Sequence, residues 1–151
     1  MGVKTTKAKK SEPQPVDPDL DIYVGAALGR KAGRLKVLDL RGISPVADYY
    51  IICSAKSSRQ TDAIADHIIS ELARNGIKTL SVEGKGDDSQ WVLLDYGFIM
   101  IHVFYEPVRD FYDLEGLWLD APRVETQTMT EAAAKSEESA VNFGGDEKDE
   151  W

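Results

Sequence analysis

The chain is short and acidic: its 151 residues contain 18 Lys and Arg against 26 Asp and Glu, a net charge of −8 at pH 7. This length predicts one domain. Without a basic stripe, an acidic chain is poorly suited to holding nucleic acid by its phosphates and is better matched to a basic protein surface. The sequence also contains no secretory-type apolar leader and no run able to span a bilayer, which predicts a cytoplasmic protein.

Composition divides the chain into three parts. Residues 1–16 are predicted to be a disordered basic arm, residues 17–123 a folded domain, and residues 124–151 a disordered tail with eight carboxylates against two Lys. Cys53 is the single cysteine and lies in an apolar run, so it is predicted to be buried. A single cysteine excludes an internal disulfide and a cysteine-based metal site.

The first half of the domain predicts a helix, two strands and a longer helix. Asp17-Pro18 is typical of a helix start, because aspartate caps free N–H groups and proline fits the first turn. Ser57 and Gln60 form a predicted capping box before a helix with one apolar stripe. The predicted elements are a helix from residue 18 that ends at Gly33, strands at Val37–Leu40 and Tyr49–Ser54, and a helix at Ser58–Arg74.

The second half contains a predicted hairpin. Two β-rich runs flank Asp95-Tyr96-Gly97, and Gly97 can adopt positive φ in the turn. The second run is apolar on both faces, which predicts a central strand covered by helices. The element order is therefore α-β-β-α-β-β-β-α, a mixed sheet of about five strands flanked by helices. The predicted elements are strands at Ile77–Val82, Trp91–Leu94 and Phe98–Tyr105, and short helical turns within Val108–Leu119.

Candidate catalytic residues are few. The two histidines lie on different elements, and His102 in mid-strand is predicted to be hydrogen-bonded within the fold. The alternative to a binding module is a metal-dependent nucleotidyltransferase-like enzyme that holds magnesium on Asp39, Asp48 and Asp95. That chemistry needs a phosphate cradle, and no Gly-rich loop follows a strand and opens a helix here. We therefore expect no enzymatic activity, no metal and no cofactor. A weaker option is an RNA-binding adaptor that uses residues 1–16.

The aromatic residues indicate a binding surface. Trp91, Tyr96, Phe111, Tyr112 and Trp118 fall within a short span, and Trp and Tyr are the types that anchor protein interfaces. Tyr96, in the hairpin turn, and Trp91, after a polar loop, are predicted to be exposed anchors. Phe111 and Trp118 are predicted to be core residues. The residues themselves thus favour a binding module over an enzyme.

Three segments resemble a known family: VLDLRGISPVADYYIICSAKSSRQTDAIADHI, VEGKGDDSQWVLLDYGFIMIHVF and RDFYDLEGLW are similar to the ribosomal silencing factor RsfS of the Iojap-related family, over about residues 20 to 121. The resemblance implies a fold similar to nucleotidyltransferases without their activity. It also implies binding to ribosomal protein fourteen of the large subunit, so that subunit joining is sterically blocked and translation is lowered when nutrients are scarce. The family resemblance further implies a homodimer when the protein is free.

The resemblance also implies partner-binding residues, and the chain departs from the family pattern near some of them. Ala47 and Ala55 differ from the usual residues, and Phe98 stands where the hairpin usually has Asp. An inward Phe98 would extend the core, whereas an outward one would alter partner contacts. The implied partner-binding residues are Trp91, Asp95, Tyr96, Gly97, Arg109, Tyr112, Leu114 and Glu115.

Overall fold

The computed structural model describes residues 15–137. None of the helices in this range is both long and apolar enough to cross a membrane. In chain order the elements are α1 (Leu20–Leu28), β1 (Gly33–Asp39), β2 (Tyr49–Ala55), α2 (Ser58–Arg74), β3 (Ser81–Glu83), β4 (Trp91–Asp95), β5 (Ile99–Tyr105), α3 (Glu106–Tyr112) and α4 (Leu114–Leu117), followed by helical residues 127–137, here named α5.

The strands form one mixed sheet in the order β1-β2-β5-β4-β3. β2 and β5 are parallel, with Ile51 opposite Ile101, and the other pairs are antiparallel. The long α2 segment connects β2 to the β3–β4–β5 part of the sheet, as a parallel pair requires a long crossover. The predicted five-stranded α/β architecture and the central position of β5 are both confirmed.

One face of the sheet is closed by α1 and α2. The α2 residues Ile64, Ile68 and Leu72 are fully buried, as the apolar stripe in the sequence predicts. The helix occupies its predicted residues because Ser57 Oγ accepts from Gln60 N (3.1 Å) and Gln60 Oε1 accepts from Lys56 N (2.8 Å). These bonds satisfy backbone donors that a helix start leaves free. We name this side of the sheet the closed face.

Among residues 15–137, the opposite side of the sheet, named the open face, is covered by α3, α4 and the turn that follows them. Ile52 and Phe104 are fully buried on this side, and Leu114 and Ala121 pack over them. Tyr50 and Trp91 at the margin are half-buried. Two short helices therefore leave part of this face accessible.

Three predicted boundaries are wrong. α1 ends at Leu28, and Gly33 begins β1 instead of ending the helix. Positive φ at Lys31 (61°) reverses the chain two residues before the glycine. The predicted strand from Ile77 contains only β3, because the ladder with β4 starts at Ser81.

The hairpin has the predicted turn. Gly97 has φ of +92°, and Asp95 Oδ1 accepts from its backbone N–H (2.8 Å). Phe98 is partly buried and packs edge-on against Tyr23 of α1 (5.7 Å between ring centroids). Phe98 therefore extends the core of the closed face.

The predicted disordered tail is wrong for residues 124–137. Val124 and Met129 pack against the closed-face core. Asp21 on α1 accepts from Thr128 Oγ1 (2.7 Å) and Thr128 N (3.3 Å). Apolar periodicity in the sequence does not predict this docking, because the hydrogen bonds between Thr128 and Asp21 contribute to it. Residues 138–151 of the predicted tail lie outside the described range.

Most of the predicted N-terminal arm, residues 1–14, also lies outside the described residues. Its last two residues are described, and there the carbonyl of Pro15 accepts from Arg41 Nη1 (2.8 Å). Tyr49 contributes a second contact, since its hydroxyl accepts from Asp17 N (3.0 Å). The described residues thus begin at residue 15, two positions before the predicted boundary at residue 17.

Candidate partner-binding surface

Exposed apolar side chains concentrate on one short segment. Phe111, Leu117 and Leu119 are 75–80% exposed, and Tyr112 is 53% exposed. These four residues, named the α3–α4 ridge, lie within nine positions of the chain. Large apolar side chains concentrated in this way are typical of interaction surfaces. The prediction that Phe111 is a core residue is wrong, because Phe111 lies two positions after the buried Arg109 and so points from the opposite side of α3 into solvent.

A left-handed turn sets the shape of the ridge. Asp113 has φ of 48° and ψ of 54°, and its Oδ1 accepts from Gly116 N (3.2 Å). A Cβ at residue 116 would lie 2.3 Å from Asp113 Oδ2, so the contact requires glycine. The turn separates α3 from α4 and leaves Leu117 in solvent. Trp118 is half-buried against Tyr50 (6.0 Å between centroids), which agrees in part with its predicted core position.

Arg109 fastens this turn to the sheet. Its guanidinium is 1% exposed, donates to both carboxylate oxygens of Glu115 (3.0 Å each) and donates to Ser54 Oγ on β2 (3.1 Å). Those bonds hold the pKa of Glu115 below its usual range. Arg109 and the largely buried Leu114 therefore support the surface from beneath.

Trp91 adjoins the ridge at the start of β4. It is half-buried, less exposed than the sequence predicts, and its ring contacts Phe104 (4.8 Å) and Tyr112 (5.1 Å). Its Nε1–H donates to His102 Nδ1 (3.1 Å), which confirms the predicted hydrogen bond of His102 within the fold. Burial lowers the pKa of His102 to about 3, so the imidazole is uncharged at neutral pH.

The hairpin turn forms a separate group. β4 runs from Trp91 to Asp95, so its two ends are about 13 Å apart at the usual rise per residue. Tyr96 is 8% exposed and meets Tyr23 edge-on (5.4 Å), so its predicted role as an exposed anchor is wrong. Burial raises the pKa of its hydroxyl to about 12. Asp95, Tyr96 and Gly97 are thus not brought together with the other predicted site residues.

The chain segment that carries the ridge is acidic. Residues 106–120 contain five Asp and Glu against the single Arg109, which Glu115 already neutralises. Asp110 pairs with Arg34 (3.0 Å), and both side chains are well exposed to solvent. An apolar ridge among acidic groups is complementary to a basic partner with apolar pockets.

Two of the three carboxylates of the enzyme alternative, Asp39 and Asp95, have other roles. Asp39 pairs with Arg41 (2.7 Å), and Asp95 caps the hairpin turn. Within residues 15–137 the structure brings no group of three or more His, Cys, Asp or Glu side chains together in a way that could hold a metal ion. Cys53 is fully buried as predicted, and burial raises its pKa to about 12.

Sequence reasoning missed several features of this surface. The bond between Trp91 and His102 joins two strands, and the bonds of Arg109 join α3 to β2 and α4. Neither can be read from local spacing. The exposed Leu117 had a weak signal, since Gly116 disfavours continuation of a helix at the position just before it.

Fold and surface together define a class: a small α/β domain whose open face carries an aromatic, acid-rimmed surface of the kind used to bind proteins. The chain belongs to the ribosomal silencing factor family, because the model of the family described as "Ribosomal silencing factor during starvation" matches residues 13–149. The resemblance noted in the sequence is thereby confirmed.

Individual relatives agree with this assignment. The chain is 43% identical over 103 residues to the ribosomal silencing factor RsfS of Bacillus subtilis, covering 68% of this chain and 86% of that protein. It is 26% identical over 123 residues to the mouse protein named mitochondrial assembly of ribosomal large subunit protein 1, covering 76% of this chain and 54% of the mouse protein. A crystal structure from Bacillus halodurans matches with a TM-score of 0.62 and 36% identity, covering 71% of this chain and 96% of that one.

Proposed function

We propose that this protein represses translation by binding the large ribosomal subunit through its ribosomal protein fourteen and sterically blocking association with the small subunit. One observation carries the proposal: in this member of the silencing-factor family, the half-buried Trp91 contacts Tyr112, an exposed residue of the α3–α4 ridge. Both aromatic residues belong to the motif that resembles the family. The repression acts in the cytoplasm when nutrients are limiting.

Steric exclusion of the small subunit is sufficient for this function, so the protein needs no catalysis, metal or cofactor. A specific protein interface buries roughly 1,200–2,000 Å² in total. Aromatic anchors at the centre of such an interface carry most of the binding free energy. Trp91 and Tyr112 supply such anchors, and the ridge supplies apolar area around them.

Charge supports a basic ribosomal protein as the partner. The whole chain has a net charge of −8, and the segment that carries the ridge is itself acidic. An acidic surface is repelled by the phosphates of ribosomal RNA and attracted by Lys and Arg. Affinity therefore rests on the protein component of the subunit. A mouse relative whose name refers to large-subunit assembly adds support for that subunit.

Sedimentation tests the proposal directly. Purified protein added to separated ribosomal subunits should reduce the joined species and cosediment with the large subunit. Trp91→Ala should weaken this binding by about 2 kcal/mol, roughly thirtyfold, as expected for an aromatic anchor. Ile22→Ala is a matched control, because Ile22 is 43% exposed on α1, on the opposite side of the sheet from the open-face helices. Unchanged subunit joining at saturating protein would reject the proposal.

We also propose that the free protein is a homodimer that buries the α3–α4 ridge. Four large apolar side chains in solvent favour self-association when no partner is present. Leu117→Ser should therefore shift the protein toward monomer in analytical ultracentrifugation. Wild-type protein that sediments as a monomer at micromolar concentration would contradict the dimer without affecting the proposed ribosomal target.

A further inference from the structure

Among the described residues, the side chain of His102 makes one hydrogen bond, and it goes to the proposed anchor. His102 is 4% exposed on the open-face side of β5, with the Tyr50 ring at 4.5 Å. Its Nδ1 accepts from Trp91 Nε1 (3.1 Å). Its Nε2 is buried and has no hydrogen-bond partner among the described residues. Among the described residues, the imidazole of His102 therefore bonds to the indole of Trp91 and to no other group.

The direction of this bond fixes the chemical form of the histidine. An Nδ1 atom that accepts from an indole carries no proton, so the neutral ring has its proton on Nε2. Burial lowers the pKa of His102 to about 3, which keeps Nδ1 an acceptor at neutral pH. A buried donor without an acceptor destabilises a fold. The presence of histidine at this position is therefore better explained by the hydrogen bond that its Nδ1 accepts from Trp91 than by packing alone.

The other contacts of Trp91 are apolar and less directional. Its ring lies 4.8 Å from the Phe104 ring and 5.1 Å from the Tyr112 ring, centroid to centroid. Such contacts hold the plane of a flat ring but discriminate weakly between its two flipped orientations. The indole has one N–H donor. A bond from this donor to a fixed acceptor selects one orientation.

We propose that His102 is a positioning residue for Trp91: it holds the indole in one orientation, with its N–H turned inward and its remaining edge presented beside Tyr112. This inference rests on the proposed function, in which Trp91 anchors the partner. Holding the anchor in its binding orientation raises affinity, because less side-chain freedom is lost when the complex forms.

Two substitutions separate positioning from packing. His102→Asn keeps an acceptor oxygen near the position of Nδ1 but removes ring volume, whereas His102→Leu keeps apolar volume but removes the acceptor. If His102 positions the indole, the Asn variant retains its affinity for the large subunit within about threefold. The Leu variant loses about tenfold in the same affinity, because it lacks one hydrogen bond. The reverse order of affinities, with both variants folded, would overturn the proposal in favour of packing.

A double-mutant cycle ties the effect to the indole donor. Trp91→Phe keeps an aromatic ring but removes the N–H. When His102→Leu is combined with Trp91→Phe, the loss of affinity should equal that of Trp91→Phe alone, because both changes remove the same bond. Additive losses would show that His102 acts on binding by another route and would overturn the proposal.

A readout in the free protein separates this proposal from the proposed function. The indole N–H resonance of Trp91, assigned by its absence in Trp91→Phe, should exchange slowly with solvent in the wild type and in His102→Asn, and quickly in His102→Leu. An unchanged exchange rate in a folded Leu variant would overturn the positioning role. If exchange behaves as expected but the wild type does not bind large subunits, positioning stands and the ribosomal function fails.

Discussion

The two faces of the sheet differ in how they are covered. On the closed face, α1 and α2 bury Ile101, Val103 and their neighbours completely. On the open face, α3 and α4 are short, Arg109 bonds to Glu115 of α4 and to Ser54 of β2, and the α3–α4 ridge stays in solvent. The closed face therefore stabilises the domain. The open face can expose apolar groups because the stability of the fold does not depend on burying them.

The largest expected effect is on the closed face. Ile101→Ala removes a fully buried side chain from the central strand and should lower the free energy of unfolding by about 3 kcal/mol. Urea denaturation followed by circular dichroism measures this loss. Leu80→Ala, at an exposed position, serves as the control and should change stability by less than about 0.5 kcal/mol. A similar small change for Ile101→Ala would contradict the division between the faces.

The second largest effect is expected at Arg109, which bonds the open-face helices to the sheet. Arg109→Ala leaves Ser54 Oγ and Glu115 without their donor and should lower the free energy of unfolding by about 2 kcal/mol. Arg109→Lys keeps the charge without the fork and should recover part of this loss. Wild-type stability in Arg109→Ala would mean that packing alone holds α4.

The same pair predicts a response to acid. The pKa of Glu115 is lowered by Arg109, so the carboxylate contributes stability above its unfolded pKa of about 4.5 and loses it as the pH falls through the lower folded value. Chemical denaturation from pH 6 to pH 3 should therefore show a decline that is smaller in Glu115→Gln. Parallel pH profiles for the two proteins would contradict the assignment.

A smaller effect is expected where α5 docks on the closed-face side. Thr128→Val removes the hydroxyl that donates to Asp21 and should lower the free energy of unfolding by about 1 kcal/mol. Thr128→Ser retains the hydroxyl and should remain near wild type. Hydrogen exchange of residues 127–137 checks the site of the change. Equal exchange in the Val and Ser variants would argue that this bond does not hold α5 against α1.

The smallest effect on stability is expected on the ridge. Leu117→Ser should change the free energy of unfolding by less than about 0.5 kcal/mol, because Leu117 is 75% exposed. The same change should weaken large-subunit binding about tenfold if the ridge forms the interface. Thermal denaturation and cosedimentation measure the two effects on one sample. A marked loss of stability would assign Leu117 to the core.

Much of the closed face could be predicted from the sequence. The α2 boundaries and the central position of β5 follow from apolar periodicity and capping residues, which are local signals. The exposure of individual aromatic side chains was harder to predict on both faces. Phe111 and Tyr96 were each assigned to the wrong environment, because exposure depends on which distant element covers a side chain. Tyr96 is buried by Tyr23, which lies more than 70 positions earlier in the chain.

Sequence alone is enough to predict the α/β architecture, the hairpin turn and the family, since these depend on local periodicity, on residues with special backbone freedom and on recognisable segments. Three features follow instead from the packing of the folded chain: the implied partner residues form two groups, Arg109 supports the surface from below, and His102 bonds to Trp91. Hydrogen bonds and burial between distant strands depend on strand order and register. Nearest-neighbour spacing in the chain does not contain that information.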